Sequence, residues 1–298
     1  MTAKPAHSFD FAAPPPDLAP FCNAFYTMRI DAGRLDEMLP AYSGQLLVAP
    51  QGRGRIDFGD GYVEAPAESF LIGPLSSARR FVIDGPALAY GVSFNFHGWA
   101  AITRLPVATH ADRFIVTDAA FGDAAAARLA SIARQGSERA STSHADGFAE
   151  IAHVLRVALQ PLSPAHAQLI DCTYAWLASG MNPEPADLYG AIALSDRQIQ
   201  RLVKKFFGLP PSQLKRRYRA IRAATLLADP DIASARVEQV IDAFYDQAHM
   251  IREIRYFTGQ TPRFIAKDDA GLMADTLGKQ GYGTSGMFGV DPESEKDR

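Results

Sequence analysis

The sequence contains 298 residues, with a formal net charge of −3, 47% hydrophobic residues and 21% charged residues. This is the composition of an ordinary globular protein, so it excludes a fibrous or wholly disordered chain, and the length suits two domains. The chain has no run of about eighteen apolar residues and no apolar N-terminal signal segment, so we expect a cytoplasmic protein with no membrane partner.

The first third of the chain has the character of β structure. Residues 1–20 are rich in proline and alanine and predict an extended lead-in. Short apolar runs bounded by Gly, Pro and Asp then continue to about residue 103. The candidate strands are 21–30, 45–48, 55–58, 69–72, 80–83 and 89–96, and Gly59-Asp60-Gly61 is a predicted hairpin turn. This succession predicts a small barrel or sandwich.

The last candidate strand alternates large and small side chains. The large ones are Tyr90, Val92, Phe94 and Phe96, and the small ones are Ala89, Gly91, Ser93 and Asn95. This period of two predicts one buried face and one face that is open or lines a cavity.

Helical segments follow from about residue 123. Residues 124–133 are alanine-rich, and residues 135–146 are predicted to form a polar loop. Residues 148–159 carry an apolar stripe that is wide enough for a helix buried in the core or at a dimer contact. Residues 161–164 are the predicted linker. Residues 166–178 are the predicted first helix of a C-terminal domain.

A basic segment, residues 195–222, contains nine basic side chains and one acidic one. With Ser195 as N-cap, the helical period puts the apolar residues Ile199, Leu202, Val203 and Phe206 on one face, and Arg197, Gln200, Arg201 and Lys204 on the other. Arginine and glutamine can each make two hydrogen bonds to a base edge, so this pattern is typical of a DNA recognition helix. A charged, solvated surface helix is the alternative.

The neighbouring residues predict a helix-turn-helix. Residues 187–192 form a short helix and 193–194 a tight turn before the Ser195 cap. Gly208 ends the recognition helix. A long helix over 212–228 follows, which starts with phosphate-contacting basic residues and is stopped by Asp229-Pro230.

These motifs closely resemble the DNA-binding domain of AraC-type (AraC/XylS family) transcription regulators. The resemblance rests on Leu194-Ser195-x-Arg197-Gln198-x-Gln200-Arg201, on Phe206-x-Gly208-x-x-Pro211, and on Leu214-x-Arg216-x-x-Arg219. That family has two helix-turn-helix units, and residues 244–262 resemble the second. The resemblance covers about 165–267.

The implied DNA-binding residues lie in both units and in the helix between them. They are Arg197, Gln198, Gln200, Arg201, Lys204, Lys205, Lys215, Arg216, Arg219, Gln247, His249, Arg252 and Arg255. The family's glycine in the second turn is Ala243 here. Alanine at positive φ costs about 1 kcal/mol, so we expect a second unit that is less stable or differently turned.

The N-terminal half resembles, more loosely, the cupin-like domains that precede such DNA-binding domains. The similarity lies in Gly91-Val92-Ser93-Phe94, Arg104-Leu105-Pro106 and Ala111-Asp112-Arg113. Metal-binding cupins cluster His and Glu ligands, whereas His97 stands alone among the strands. We therefore predict no metal and no cofactor. Cys22 and Cys172 lie in apolar surroundings and are predicted to be free thiols.

The resulting hypothesis is an α+β protein whose parts are a lead-in (1–20), a cupin-like domain (21–160), a DNA-binding domain (165–268) and a disordered tail (269–298). It implies a nucleoid-associated transcription regulator that binds double-stranded DNA. A small-molecule effector, RNA polymerase and a second copy of the chain are further candidate partners. In the alternative, only the first unit reads DNA and the N-terminal domain only dimerises. We expect no enzymatic activity, because neither cysteine lies in a Cys/His/Arg cluster and no hydrolase, phosphate-loop or metalloprotease motif is present.

Overall fold

The computed structural model describes residues 7–138, 144–227 and 234–265. They form two compact units. The first unit contains the described residues up to Leu162, except for two short segments, Met38–Ala41 and Ser76–Ala78. Those segments belong to the second unit, together with the described residues from Ser163 onward. All strands of the described chain fall before residue 117, and the later part is helical. The protein is therefore α+β, as predicted.

The first unit is built on two antiparallel sheets. One has the strand order β1-β2-β9-β4-β7-β10 and the other β3-β8-β5-β6. The strands are β1 His7–Ala12, β2 Cys22–Ile30, β3 Arg34–Leu39, β4 Gln45–Gln51, β5 Gly54–Asp57, β6 Tyr62–Glu64, β7 Ser69–Ile72, β8 Arg79–Asp84, β9 Ala87–Phe94 and β10 Phe114–Val116. Each predicted strand overlaps one of these. The predicted hairpin turn joins β5 to β6, with Asp57 Oδ1 accepting from the amides of Gly59 and Gly61.

The predicted lead-in belongs to the sheet. β1 pairs with β2 in the register His7↔Ile30 to Ala12↔Phe25. Its alternate residues Phe9 and Phe11 pack against the Tyr26 ring, with centroids 6.3 and 5.9 Å away. The segment predicted as an extended lead-in therefore contains a strand of the sheet. Its period-two pattern was hidden by the proline-rich residues that follow it.

Strand β9 is buried on both faces, so the face predicted to be open or to line a cavity is not open to solvent. It lies between β2 and β4 in the middle of the larger sheet. On one face the Tyr26 ring covers Gly91, where a Cβ would lie 2.0 Å from Tyr26 Cζ. On the other, Tyr90 packs against Phe148 with ring centroids 5.9 Å apart.

Short helices and two longer ones complete this unit. They are α1 Phe96–Gly98, a π-helical turn Trp99–Thr103, α2 Val107–His110, α3 Thr117–Phe121, α4 Asp123–Glu138 and α5 His144–Ala158. The predicted polar loop is wrong at both ends, since α4 continues to Glu138 and α5 begins at His144. In α5, Ile151, Val154 and Leu155 are buried, whereas Val157 is 72% exposed.

The second unit is helical. Its helices are α6 Pro164–Ala178, α7 Pro185–Gly190, α8 Asp196–Phe207, α9 Pro211–Leu227, α10 Ser234–Asp242, α11 Gln247–Thr258 and α12 Pro262–Ile265. Helix α9 matches the predicted connector within one residue at each end. Its predicted stop, Asp229-Pro230, and the predicted tail lie outside the described residues. Among the described helices, none combines the length and hydrophobicity needed to cross a membrane.

Candidate nucleic-acid interface

Two helices of the second unit, α8 and α11, have the same length and the same kinds of cap. Both contain twelve residues and follow a short helix and a turn. The N-caps are Ser195 and Asp246, and both C-caps are glycines in the left-handed conformation, Gly208 with φ 81° and Gly259 with φ 79°. Glycine adopts this conformation without steric cost. The two helices can therefore be compared residue by residue from their caps.

Their buried faces correspond. In α8 the core is formed by Ile199, Val203 and Phe206, and the residues at the same positions of α11 are Met250, Ile254 and Phe257; all six are buried. Phe207, which we did not predict as a core residue, is fully buried and packs edge-on against Tyr174 at 5.5 Å between ring centroids. Leu202 is only half-buried. Each helix is thus anchored along one side.

The opposite face of α8 has the predicted composition. Arg197, Gln200, Arg201 and Lys204 are all exposed. Gln200 is also held in place, because its Nε2 donates to the hydroxyl of Tyr189 on α7 at 3.1 Å. The face therefore presents hydrogen-bonding side chains to solvent, and one of them is fixed by the preceding helix.

Two neighbours of that face have structural contacts. Gln198 Oε1 accepts from Ser195 N at 3.0 Å and from Ser195 Oγ at 2.8 Å, which places it in the cap of α8. The Ser-x-x-Gln spacing is a capping-box signal that the sequence contained. Lys205 is half-buried, with Nζ 5.1 Å from the centre of the Phe206 ring.

Arg219 is interior, which corrects its predicted phosphate contact. Its side chain is 8% exposed. Nε and Nη2 donate to Glu253 Oε2 at 3.2 and 2.5 Å, and Nη1 donates to Asn182 Oδ1 at 3.1 Å and to the Ala243 carbonyl at 3.2 Å. The guanidinium carbon also lies 4.8 Å from the centre of the Phe244 ring. A guanidinium satisfied in this way is not available to a phosphate.

Glu253 is the centre of this cluster. Its carboxylate is 2% exposed, and its Oε1 accepts from Arg216 Nε at 2.6 Å and lies 3.2 Å from His249 Nε2. Burial would raise the pKa of Glu253, but the hydrogen bonds and charges of Arg216 and Arg219 lower it below its usual value. The ion pairs therefore join α11 to the connecting helix α9.

The predicted strain in the second turn is absent. Ala243 is not among the described residues with positive φ, which other than glycine are Arg104 and Asp112. The turn is closed by a hydrogen bond from Phe244 N to Ile241 O at 3.1 Å. Because Ala243 keeps an ordinary backbone conformation, no positive-φ penalty applies, and its carbonyl is bound by Arg219.

The outer face of α11 contains three of its four predicted residues. Gln247, Arg252 and Arg255 are exposed. His249 is half-buried against Glu253 and the Phe244 ring, so it belongs to the interior cluster and its predicted DNA contact is corrected. Two residues that the sequence analysis did not select, Ala248 and Ile251, are exposed on the same face.

The remaining predicted residues lie on α9. Lys215 is 17% exposed and lies 3.6 Å from Glu184. Arg216 is half-exposed, although its Nε is bound to Glu253. Among the described residues, no group of three or more His, Cys, Asp or Glu side chains is arranged to hold a metal ion.

Comparisons with known proteins match the two units to different families. Residues 188–267 match a family model described as "Helix-turn-helix domain", and residues 10–116 match one described as "Domain of unknown function (DUF6597)". No curated protein matches the chain. The first of these ranges includes α8 and α11.

Solved structures of ToxT from Vibrio cholerae are similar to this chain. ToxT of strain O395 is 9% identical, with 88% of this chain and 99% of that chain covered and a TM-score of 0.43. Unsaturated fatty acid-bound wild-type ToxT of strain SCE256 is 10% identical, with 89% and 97% covered and a TM-score of 0.41.

Proposed function

We propose that this protein is an AraC-type, sequence-specific transcription regulator that reads DNA with both α8 and α11. The match of residues 188–267 to a helix-turn-helix family model supports the proposal. The observation that carries the proposal is the outer face of α8, where Arg197, Gln200, Arg201 and Lys204 are exposed opposite a fully packed core. Such a face fits the major groove, which admits a helix and displays the donors and acceptors of the base edges.

The roles on α8 follow from side-chain chemistry. Arg197 and Arg201 are suited to the two acceptors of guanine, and Gln200 to the adenine edge. The hydrogen bond from Gln200 to Tyr189 limits its rotamers before DNA arrives, which lowers the entropic cost of ordering it on binding. Lys204 and Lys205 supply phosphate contacts beside them.

Helix α11 is proposed to read a second segment of the same site. Gln247, Arg252 and Arg255 supply its polar contacts, and Lys215 and Arg216 on α9 supply phosphate contacts in place of the interior Arg219. Two helices that enter successive major grooves on one side of DNA are about 34 Å apart. We therefore expect an operator with two blocks separated by about one helical turn.

A second candidate function is a protein in which only α8 reads DNA. It is favoured by one observation, that α11 has Ala248 and Ile251 where α8 has Arg197 and Gln200. Fewer hydrogen-bonding side chains then face the second groove. Under this alternative the operator has a single block.

Selection of random duplex DNA on the full-length protein separates these proposals. Two enriched blocks about one turn apart, with binding that weakens steeply as salt rises, support reading by both helices. One block supports the alternative. Failure to enrich any sequence, with and without a panel of small metabolites, would contradict sequence-specific binding.

Control by a small molecule is proposed for the first unit. Its interior contains a buried polar cluster in which Tyr26 Oη donates to Gln45 Oε1 at 3.2 Å and Gln45 Nε2 donates to Ser93 Oγ at 3.1 Å. Such groups can fix the orientation of a polar ligand. A metabolite panel in a thermal-shift assay tests this, because a ligand at 100 times its Kd stabilises the fold by about 2.7 kcal/mol.

The other predicted partners and the absence of an enzymatic role remain proposals. RNA polymerase and a second copy of the chain are tested by co-purification and by the oligomeric state in solution. An enzymatic role in which a cysteine accepts a methyl group from DNA would need a reactive thiolate. Burial raises the pKa of the Cys22 thiol to about 12, which opposes that role for this cysteine.

A further inference from the structure

The outer face of α11 has an apolar centre. Gln247, Ile251 and Arg255 are spaced four residues apart along one line of the helix, and Ala248 and Arg252 form the neighbouring line. Ile251 is 37% exposed and Ala248 is exposed. An isoleucine and an alanine therefore lie among the polar residues proposed to meet DNA.

The protein core does not account for these two residues. Met250, Ile254 and Phe257 already form the buried side of α11. A single exposed apolar residue needs no explanation by itself. Here, however, Ile251 occupies the position of Gln200 and Ala248 that of Arg197, counted from the N-caps. Both positions on α8 belong to the face proposed to read bases.

We propose that Ile251 and Ala248 recognise thymine through apolar contact with its C5-methyl group. In the major groove this methyl is the apolar group among the exposed base edges, and small aliphatic side chains contact it. The second operator block would then contain thymine opposite these residues, with Arg252 and Arg255 at guanine or phosphate beside it. The inference rests on the proposed function, because it assigns a base preference to α11.

Deoxyuridine tests the contact directly, since it keeps every hydrogen-bonding group of thymine and lacks only the methyl. Each thymine of the selected operator is replaced in turn and the affinity of the full-length protein is measured. Loss of one buried methyl group corresponds to about fourfold weaker binding. We expect that loss at one or two positions of the second block.

Two variants assign the contact to a side chain. Ile251→Ala should bind the thymine and deoxyuridine operators with nearly equal affinity at the responsive position. Ile251→Gln should shift the preferred base there towards adenine, as glutamine pairs with the adenine edge. The matched control is Ile241→Ala on α10, an isoleucine of similar exposure outside this face, which should keep the full deoxyuridine effect.

The outcomes separate this inference from the proposed function. Deoxyuridine without effect throughout the second block, or a deoxyuridine effect that Ile251→Ala leaves unchanged at every responsive position, would overturn thymine reading by Ile251 and leave two-helix recognition standing. An operator with only one block would also overturn thymine reading by α11, while leaving the assignment of α8 as a recognition helix intact. An operator that is not enriched at all would overturn the proposed function itself. Unchanged affinity of Ile251→Ala for the first block shows that the variant is folded.

Discussion

Helices α8 and α11 have the same framework and different surfaces. Packing keeps the three core positions of α8 and α11 apolar and places a left-handed glycine at each C-terminus. The outer positions are free of that constraint, and there α8 has Gln200 where α11 has Ile251. Framework positions thus reflect folding, whereas the outer positions can vary with the DNA sequence that each helix meets.

The inward-facing positions are not all alike either. Leu202 of α8 corresponds to Glu253 of α11, which is buried and bound to two arginines of α9. Helix α11 is therefore joined to α9 by an ion-paired cluster, whereas the matching position of α8 is uncharged. A buried charge whose partner is removed costs far more than an exposed one, so α11 and α8 should respond differently to charge removal and to acid.

The largest effect is expected from Arg219→Ala. It leaves Glu253 buried with less compensation and removes the donor of the Ala243 carbonyl, so we expect a loss of about 3–5 kcal/mol in the free energy of unfolding. Urea denaturation monitored by circular dichroism measures it. Arg201→Ala, which removes an exposed arginine of α8, is the control and should change stability by less than about 0.5 kcal/mol. Equal stabilities of the two variants would refute the structural role of Arg219.

Acid should weaken the same cluster to a smaller extent, because protonation of Glu253 leaves the bonds from Arg219 to Asn182 and Ala243 in place. The folded pKa of Glu253 is lowered from 4.5. Its contribution to stability is therefore complete above the unfolded pKa and is lost as the pH falls through the lower folded pKa. The free energy of unfolding is measured from neutral pH down through the folded pKa of Glu253. The wild type should lose stability over this range, and Glu253→Gln should lose less. An identical pH profile in the variant would argue against the cluster.

Arg201→Ala should act on binding rather than on folding. Loss of a bidentate contact to a base weakens site-specific binding by about 1–3 kcal/mol and relaxes the base preference at one position of the first block. Arg252→Ala is the counterpart on α11 and should act on the second block. Affinities are compared on the selected operator and on scrambled DNA. A uniform loss on both DNAs would mean that Arg201 contacts a phosphate instead.

The smallest effect is expected from Ser195→Ala, which removes a side chain of the α8 cap. N-cap replacements by alanine cost about 1 kcal/mol. Asp246→Ala removes the α11 cap, whose side chain accepts from His249 N at 2.6 Å, and should cost a similar amount. Thermal unfolding of both variants measures the difference. A much larger loss in one of them would mean that the two frameworks are less alike than their caps indicate.

The sequence predicted what depends on local spacing. The amphipathic face of α8 followed from helical periodicity. The spacing of Ser195 and Gln198 also contained a capping-box signal, but we had assigned Gln198 to DNA. The burial of Arg219 was not readable, because its partner Glu253 lies 34 positions away. The buried second face of β9 depended on which strands flank it. The composition of residues 1–20 concealed β1, since its pairing with β2 required the register of another strand.

Scrambling one operator block at a time is the most direct test of reading by both helices. Full-length protein is titrated with the selected operator, with the first block scrambled, and with the second block scrambled, at a fixed salt concentration. Our account predicts that either change weakens binding at least tenfold, and that Arg252→Ala loses most of its penalty once the second block is scrambled. Unchanged affinity after scrambling the second block would contradict DNA reading by α11.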